Sequence, residues 1–209
     1  MSHYYESAGV ESPGTGRLID FPSRVTIIDE GEPANAIYQI VSGNVIISKL
    51  LPDGRRQIFE VLGPGHMFGV TPNGHYDCIA EALTDVRVTA FEKGQVDRSS
   101  AFNAQLADVL KIQICALHEH AVLLGRKSAV ERVASYILEL IEGTSPNEGW
   151  VSVRVLMTRS EIADYLGLTL ETVSRAFSHL KRDSIIAYER YDGLIRVNIP
   201  RLRPLTSTY

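Results

Sequence analysis

The sequence predicts an α+β chain: a β-rich first half, one long helix, then a helix pair followed by a hairpin. Three observations carry this expectation. Between Arg24 and Phe91, short β-branched runs are separated by turns rich in Gly, Pro and Asp, the texture of a sandwich or barrel. From Asn103 to Gly125 there is no Gly or Pro until the end, which is long for a globular helix. Residues 157–182, MTRSEIADYLGLTLETVSRAFSHLKR, have the periodicity of two short helices joined by a tight turn.

Taken in order, residues 1–20 are rich in Ser, Gly and Pro and read as a mobile tail. Residues 21–101 form the β domain. Its strands are expected at Val25–Ile28, Ala36–Val41, Val45–Leu51, Gln57–Leu62, Asp77–Ala82 and Val86–Phe91, with turns at Glu30-Gly31, Ser42-Gly43, Pro52-Asp53-Gly54 and Gly63-Pro64-Gly65. Residues 102–125 form the long helix. Leu110, Leu117 and Leu124 lie seven apart, and Leu106, Gln113 and His120 fall between them. That alternation of four and three is the seam of paired helices. Val109, Ile112, Ala116 and Leu123 supply a second stripe, able to lie on the β domain. Gly125-Arg126-Lys127-Ser128 reads as a hinge.

Residues 126–209 make the last domain. Ala129–Ile141 is helical, with Val133, Ile137, Leu138 and Ile141 inward. Thr158 caps the next helix, and Glu161 three residues on completes a capping box. Gly167 suits the left-handed residue that ends it. Thr169 caps the following helix, whose buried stripe is read as Leu170, Val173, Phe177 and Leu180. Its exposed face starts with Glu171, Ser174 and Arg175. A glutamate accepts from the cytosine amine, and an arginine donates twice to guanine. Ser184–Glu189 and Leu194–Ile199 flank Tyr191-Asp192-Gly193, a hairpin signal.

Charge agrees with a DNA partner. The net charge is −4, but residues 151–209 hold nine Lys and Arg against six Asp and Glu, while residues 1–150 hold twelve against nineteen. The basic excess lies with the candidate reading helix. Apolar residues make up 44% of the chain, enough for a core. No apolar run reaches 18 residues, so no membrane span is expected. The N-terminus lacks a signal peptide's apolar core, so the expected location is cytoplasmic. Cys78 and Cys115 are the two cysteines, too few for a disulfide scaffold or a four-cysteine metal site. Cys115, in an apolar helical run, reads as a buried inert thiol. There is no Gly-rich phosphate loop, nucleophile elbow or His-Glu-x-x-His site, so an enzyme is not expected. An adaptor that uses the helix pair to bind protein would lack the steep salt dependence of a DNA reader.

The segment DEGEPANAIYQIVSGNVIISKLLPDGRRQIFEVLGPGHMFG (residues 29–69) resembles the cyclic-nucleotide-type β-roll of the CRP/FNR transcription regulators. Leu168 to Arg175, LTLETVSR, is similar to the FNR and FixK branch. The likeness runs from about residue 24 to residue 200. It implies a β-roll, a dimerisation helix and a winged helix-turn-helix. It also implies a cytoplasmic homodimer that binds double-stranded DNA at a palindrome such as TTGA-N6-TCAA and touches RNA polymerase, through a surface such as Pro52–Gln57 or Thr71–Asn73. Control of low-oxygen, nitrogen-fixation or denitrification genes follows from the same likeness. Arg175 would read guanine, Glu171 the opposing cytosine and Ser174 a thymine or its phosphate. Thr158, Thr169, Thr172, Arg182 and Arg190 would touch phosphates.

Two departures narrow the expectation. Residues 1–77 contain no cysteine, against an FNR-type iron–sulfur cluster. After Phe68-Gly69 the chain has Val70 where cyclic-AMP receptors carry a glutamate, and Asp77 would repel a phosphate, which argues against a cyclic nucleotide. No cofactor or metal is expected. The alternative is a ligand-switched relative that senses haem, a gas or another small effector in the roll, with His66, His75 and Cys78 as candidate iron ligands.

Overall fold

The computed structural model describes residues 16–96, 99–141, 149–189 and 193–206. The chain forms two compact units that part within one long helix, between His118 and Glu119.

In the first unit, β1 (Arg17–Phe21), β2 (Thr26–Ile28), β3 (Ala36–Ser42), β4 (Val45–Leu50), β5 (Arg56–Leu62), β6 (Met67–Phe68), β7 (Ile79–Ala82) and β8 (Val86–Glu92) make two four-stranded antiparallel sheets. Their orders are β1-β8-β3-β6 and β2-β7-β4-β5. Inward residues of both sheets meet in one core that includes Ile28, Ile40, Val45, Ile47, Leu62, Phe68 and Val88. Gly43 makes the β3–β4 turn at φ +86°, where a Cβ would sit 2.2 Å from the Asp85 carbonyl oxygen. No side chain fits there.

The six expected strands are present, and two more appear. Residues 17–20, expected in the tail, belong to β1, which pairs along β8 from Arg17↔Ala90 to Phe21↔Val86. Ile19 and Phe21 pack on the core, and Asp20 meets Arg87 at 2.7 Å. Composition pointed to a tail because the strand follows directly on a Ser- and Gly-rich stretch; residues 1–15 lie outside the described residues. The two-residue β6 is too short to leave a periodicity.

A short helix α1 (Lys93–Val96) leads into α2 (Ser100–Arg126). Phe102 and Val109 of α2 pack with Met67, Phe91 and Val96, with Leu106 alongside. This divides the expected seam and corrects half of it. Leu106 lies against its own β domain. Gln113, 6% exposed, donates to Glu60 on β5 at 3.3 Å. His120, also 6% exposed, stacks on Tyr165 with ring centroids 4.3 Å apart. The uncovered stripe is displaced by one residue: Ala107, Ile114 and Ala121 are exposed, flanked by half-buried Leu110, Leu117 and Leu124. One residue is about 100° around a helix, so the two registers share Leu110, Leu117 and Leu124 and differ in the other three positions. Cys115 is exposed, not buried, because it points away from the covered face.

The second unit comprises the end of α2, then α3 (Ala129–Leu140), β9 (Trp150–Arg154), α4 (Arg159–Leu166), α5 (Leu170–Arg182), β10 (Ile186–Tyr188), β11 (Leu194–Asn198), α6 (Ile199–Leu202) and a 3-10 turn at Arg203–Leu205. Val133, Ile137, Ile162, Leu166, Val173, Phe177, Leu180 and Val197 are buried. Ser128 caps α3 in a capping box with Glu131, so the expected hinge is a short joint between two helices. The strands form a sheet in the order β10-β11-β9. β9 was not among the expected elements, although Val151 and Val153 alternate with polar neighbours. Among the described residues no helix is long and apolar enough to cross a membrane.

Candidate nucleic-acid interface

The helix pair forms from its own local signals. The Thr158 hydroxyl accepts from the Glu161 backbone N–H at 3.2 Å, and the Glu161 carboxylate accepts from the Thr158 N–H at 2.7 Å. Two open donors of the α4 N-terminus are thereby closed. Gly167 ends α4 at φ 60°, ψ 42°, the left-handed conformation glycine tolerates best. Thr169 then caps α5 by accepting from the Thr172 N–H at 3.2 Å. Val173, Ala176, Phe177 and Leu180 anchor α5 in the core.

Glu171, Ser174 and Arg175 are all exposed, and their spacing of three and four sets them on one face of α5. Hydrogen bonds from its own backbone N–H, and then from the Thr169 hydroxyl, hold the Glu171 carboxyl below the usual carboxylate range. It is therefore an acceptor at neutral pH. Arg175 donates to the Thr172 hydroxyl at 3.3 Å, which orients the guanidinium along the helix surface. Ser178, one turn on, donates to the Ser174 carbonyl at 2.9 Å.

Of the expected phosphate contacts, Thr158 and Thr169 sit at the starts of α4 and α5 as caps. Thr172 is half-buried between Thr169 and Arg175. Arg182, at the far end of α5, lies 3.6 Å from Asp183. Arg190 and the turn residues Tyr191 and Asp192 lie outside the described residues. Leu170 corrects the expected buried stripe. It is 46% exposed, because the first turn of α5 projects beyond the core and Ala176 takes the inward position. An apolar group there can meet a thymine methyl.

Sequence reasoning also passed over Arg159. Its guanidinium lies 3.4 Å from the centroid of the Phe177 ring and donates to the Tyr188 hydroxyl at 3.4 Å. An open cleft of about 440 Å³ there is lined by Met157, Thr158, Arg159, Tyr188, Glu189 and Gly193. The signal was present in the Thr158-Arg159 pair that opens α4, since a cation at a helix start serves an outside anion better than the helix itself. Ser152 donates to Glu189 at 2.7 Å, tying β9 to the hairpin.

The roll presents a different chemistry. Tyr76 is buried, and its hydroxyl donates to the Ala36 carbonyl at 2.9 Å. Val70 is 41% exposed, and Asp77 is exposed. His66 bonds back to the Gly63 carbonyl at 3.0 Å. Burial, and then the Asp77 charge, push the Cys78 thiol up to about 12, so the free thiol is protonated at neutral pH. Among the described residues no three His, Cys, Asp or Glu side chains converge as a metal site.

Residues 131–205 match the model of the Crp-like helix-turn-helix domain, and residues 18–99 match that of the cyclic nucleotide-binding domain. The nitrogen fixation regulation protein FixK of Bradyrhizobium diazoefficiens is 37% identical over 177 residues, covering 82% of this chain and 75% of that protein. The chain belongs to the CRP/FNR family of transcription regulators. FixK of Rhizobium meliloti is 36% identical over 161 residues, covering 77% of this chain and 74% of that protein. The solved structure of FixK2 from Bradyrhizobium japonicum superimposes with a TM-score of 0.81 at 34% identity, covering 93% of this chain and 99% of that one. The β domain, helices and helix-turn-helix thus match the CRP/FNR architecture. The chain is a DNA-binding transcriptional activator of the FixK type and not an enzyme.

Proposed function

We propose that two copies of this chain pair through α2 and read a TTGA-N6-TCAA-like palindrome. The observation that carries this reading is the capped α5 face, with Glu171, Ser174 and Arg175 exposed together and anchored from behind by Phe177. In the assignment, Arg175 donates two bonds to a guanine, Glu171 accepts from the opposing cytosine, and Ser174 and Leu170 meet thymine. Thr158, Thr169, Thr172, Arg182 and Arg190, joined by Arg159, hold phosphates, which position the helix without reading sequence. The two-fold pairing places the half-sites one helical turn, ~34 Å, apart.

The pairing surface is the uncovered stripe Ala107, Leu110, Ile114, Leu117, Ala121 and Leu124. Its small residues allow close helix approach. Gln113 and His120, offered by the sequence as seam residues, instead hold α2 to its own chain. The domains follow as a β-roll over residues 21–101 extended by β1, the dimerisation helix over 102–125, and the DNA-binding domain over 126–209.

Activation proceeds through RNA polymerase, with the Pro52–Gln57 segment, exposed from Pro52 to Arg55, and the Thr71–Asn73 loop as contact surfaces. The protein acts in the cytoplasm without a cyclic nucleotide: Val70 offers no ribose ligand, and Asp77 repels phosphate. Control of nitrogen-fixation or other low-oxygen genes is inferred from the names of the FixK relatives.

The test is binding of purified protein to the palindrome without any additive, with an absorption spectrum of the same sample. A colourless protein that binds the palindrome and rejects a scrambled site is expected. Binding only after haem or another effector is added would replace this reading with the ligand-switched one.

A further inference from the structure

The joint between α2 and the helix-turn-helix is closed by one side chain. Arg132, in the first turn of α3, is half-buried, and its guanidinium reaches three carbonyls on three segments. Nη2 donates to Leu124 in the last turn of α2 at 2.6 Å, Nε to Lys127 in the joint at 3.0 Å, and Nη1 to Leu166 at the end of α4 at 2.9 Å. The last carbonyls of a helix have no partner within it. Arg132 therefore completes the C-termini of α2 and α4 at once, and the planar fork fixes their separation and angle. The Gly167 turn passes close to it: a Cβ at Gly167 would stand 3.7 Å from Arg132 Nη1. One turn back along α2, His120 stacks on Tyr165 of α4, a second tie between the same two helices. Neither Arg132 nor His120 lies on α5, so neither is needed to read bases.

We propose that Arg132, helped by the His120–Tyr165 stack, is the positioning residue that sets the orientation of each reading helix on α2, and so the half-site spacing that the dimer accepts. This rests on the homodimeric reading above. A lysine at 132 keeps the charge and the helix propensity, but a single ammonium cannot span three carbonyls on three segments. The reading heads would then swing, and the dimer would accept neighbouring spacings more evenly.

The experiment uses the full chain and duplexes with TTGA-Nx-TCAA spacers of five, six, seven and eight base pairs, plus a single half-site, with affinities from fluorescence anisotropy. The wild type is expected to prefer one spacer. Arg132→Lys is expected to lose about tenfold of that preference, within the usual range of coupling between sites, while its affinity for the single half-site stays unchanged. A variant that keeps the wild-type spacer profile overturns the proposal and leaves the homodimeric reading intact. A wild type with no spacer preference removes both. If Arg132→Lys does not fold by circular dichroism, His120→Ala provides the second route. It removes the stack without touching α3, and a flattened profile supports the joint while an unchanged one overturns it.

Discussion

Replacing Ile114 by Asp separates the two possible dimer seams. Ile114 is 49% exposed in the single chain, so it contributes little to the protomer's own core. Full burial of an isoleucine side chain stabilises by about 1.5–3 kcal/mol. Covering the exposed half therefore contributes about 1 kcal/mol per protomer, and two-fold symmetry doubles it. Aspartate removes that gain and places two like charges in an apolar seam. Burying an unpaired polar group adds at least about 1–3 kcal/mol. The total, about 4 kcal/mol or more, weakens dimerisation by about a thousandfold.

Analytical ultracentrifugation over a dilution series reads this directly, and thermal melting checks the fold. The expected result is a folded monomer with lost palindrome binding. Gln113→Ala is the matched control one residue away. It removes the contact with Glu60 and should leave the dimer intact. A dimer unaffected by Ile114→Asp but broken by Gln113→Ala would refute the displaced seam and restore Leu106, Gln113 and His120 to it.

Three further outcomes are expected. Arg175→Ala should cost on the order of 1–3 kcal/mol at its cognate site and relax preference at one base pair, measured by binding to single-base variants; an equal loss on all sequences would mean a phosphate contact. Thr158→Ala opens the α4 capping box and should destabilise the DNA-binding domain by about 1 kcal/mol in denaturant melts, with an unchanged midpoint counting against the cap. Burial holds the Glu60 carboxyl above its ordinary value, so the folded state grips that proton more tightly than the unfolded one, and stability falls as pH rises from the ordinary glutamate value through the raised one. Glu60→Gln should make that fall shallower than in the wild type and match or exceed it in melts above it, while a variant whose fall is as steep as the wild type's would contradict the assignment.

What could be read from the sequence follows the range of the forces involved. The α4–α5 pair is specified locally: a hydroxyl, a carboxylate three residues on and a glycine after the last apolar residue define caps without reference to the rest of the fold. Thr158, Glu161, Gly167 and Thr169 are accordingly where they were expected, and so are the six β-roll strands bounded by their own turns. Errors arose where a side chain's fate depends on a distant partner. Leu106 and Ala107 are neighbours, and only the position of Met67 and Phe91 decides which is covered. Cys115 and Leu170 are apolar by type, yet both are exposed because they lie off the buried faces of their helices. β1 was hidden because its pairing partner, β8, lies about 70 residues away.

The same distinction explains why sequence reads the function more readily than the control. Base recognition needs a few polar groups on one helix, held by caps within the same segment, and that chemistry is written in contiguous residues. Orientation of the two readers needs groups that touch several helices at once. Arg132 does this for α2 and α4, yet in the sequence it is an ordinary arginine four residues past a serine cap. Its three carbonyl partners belong to residues whose side-chain identities are immaterial to the bonds they accept, so no motif marks them. A residue that positions through backbone carbonyls can be recognised only when the helices it joins are in place.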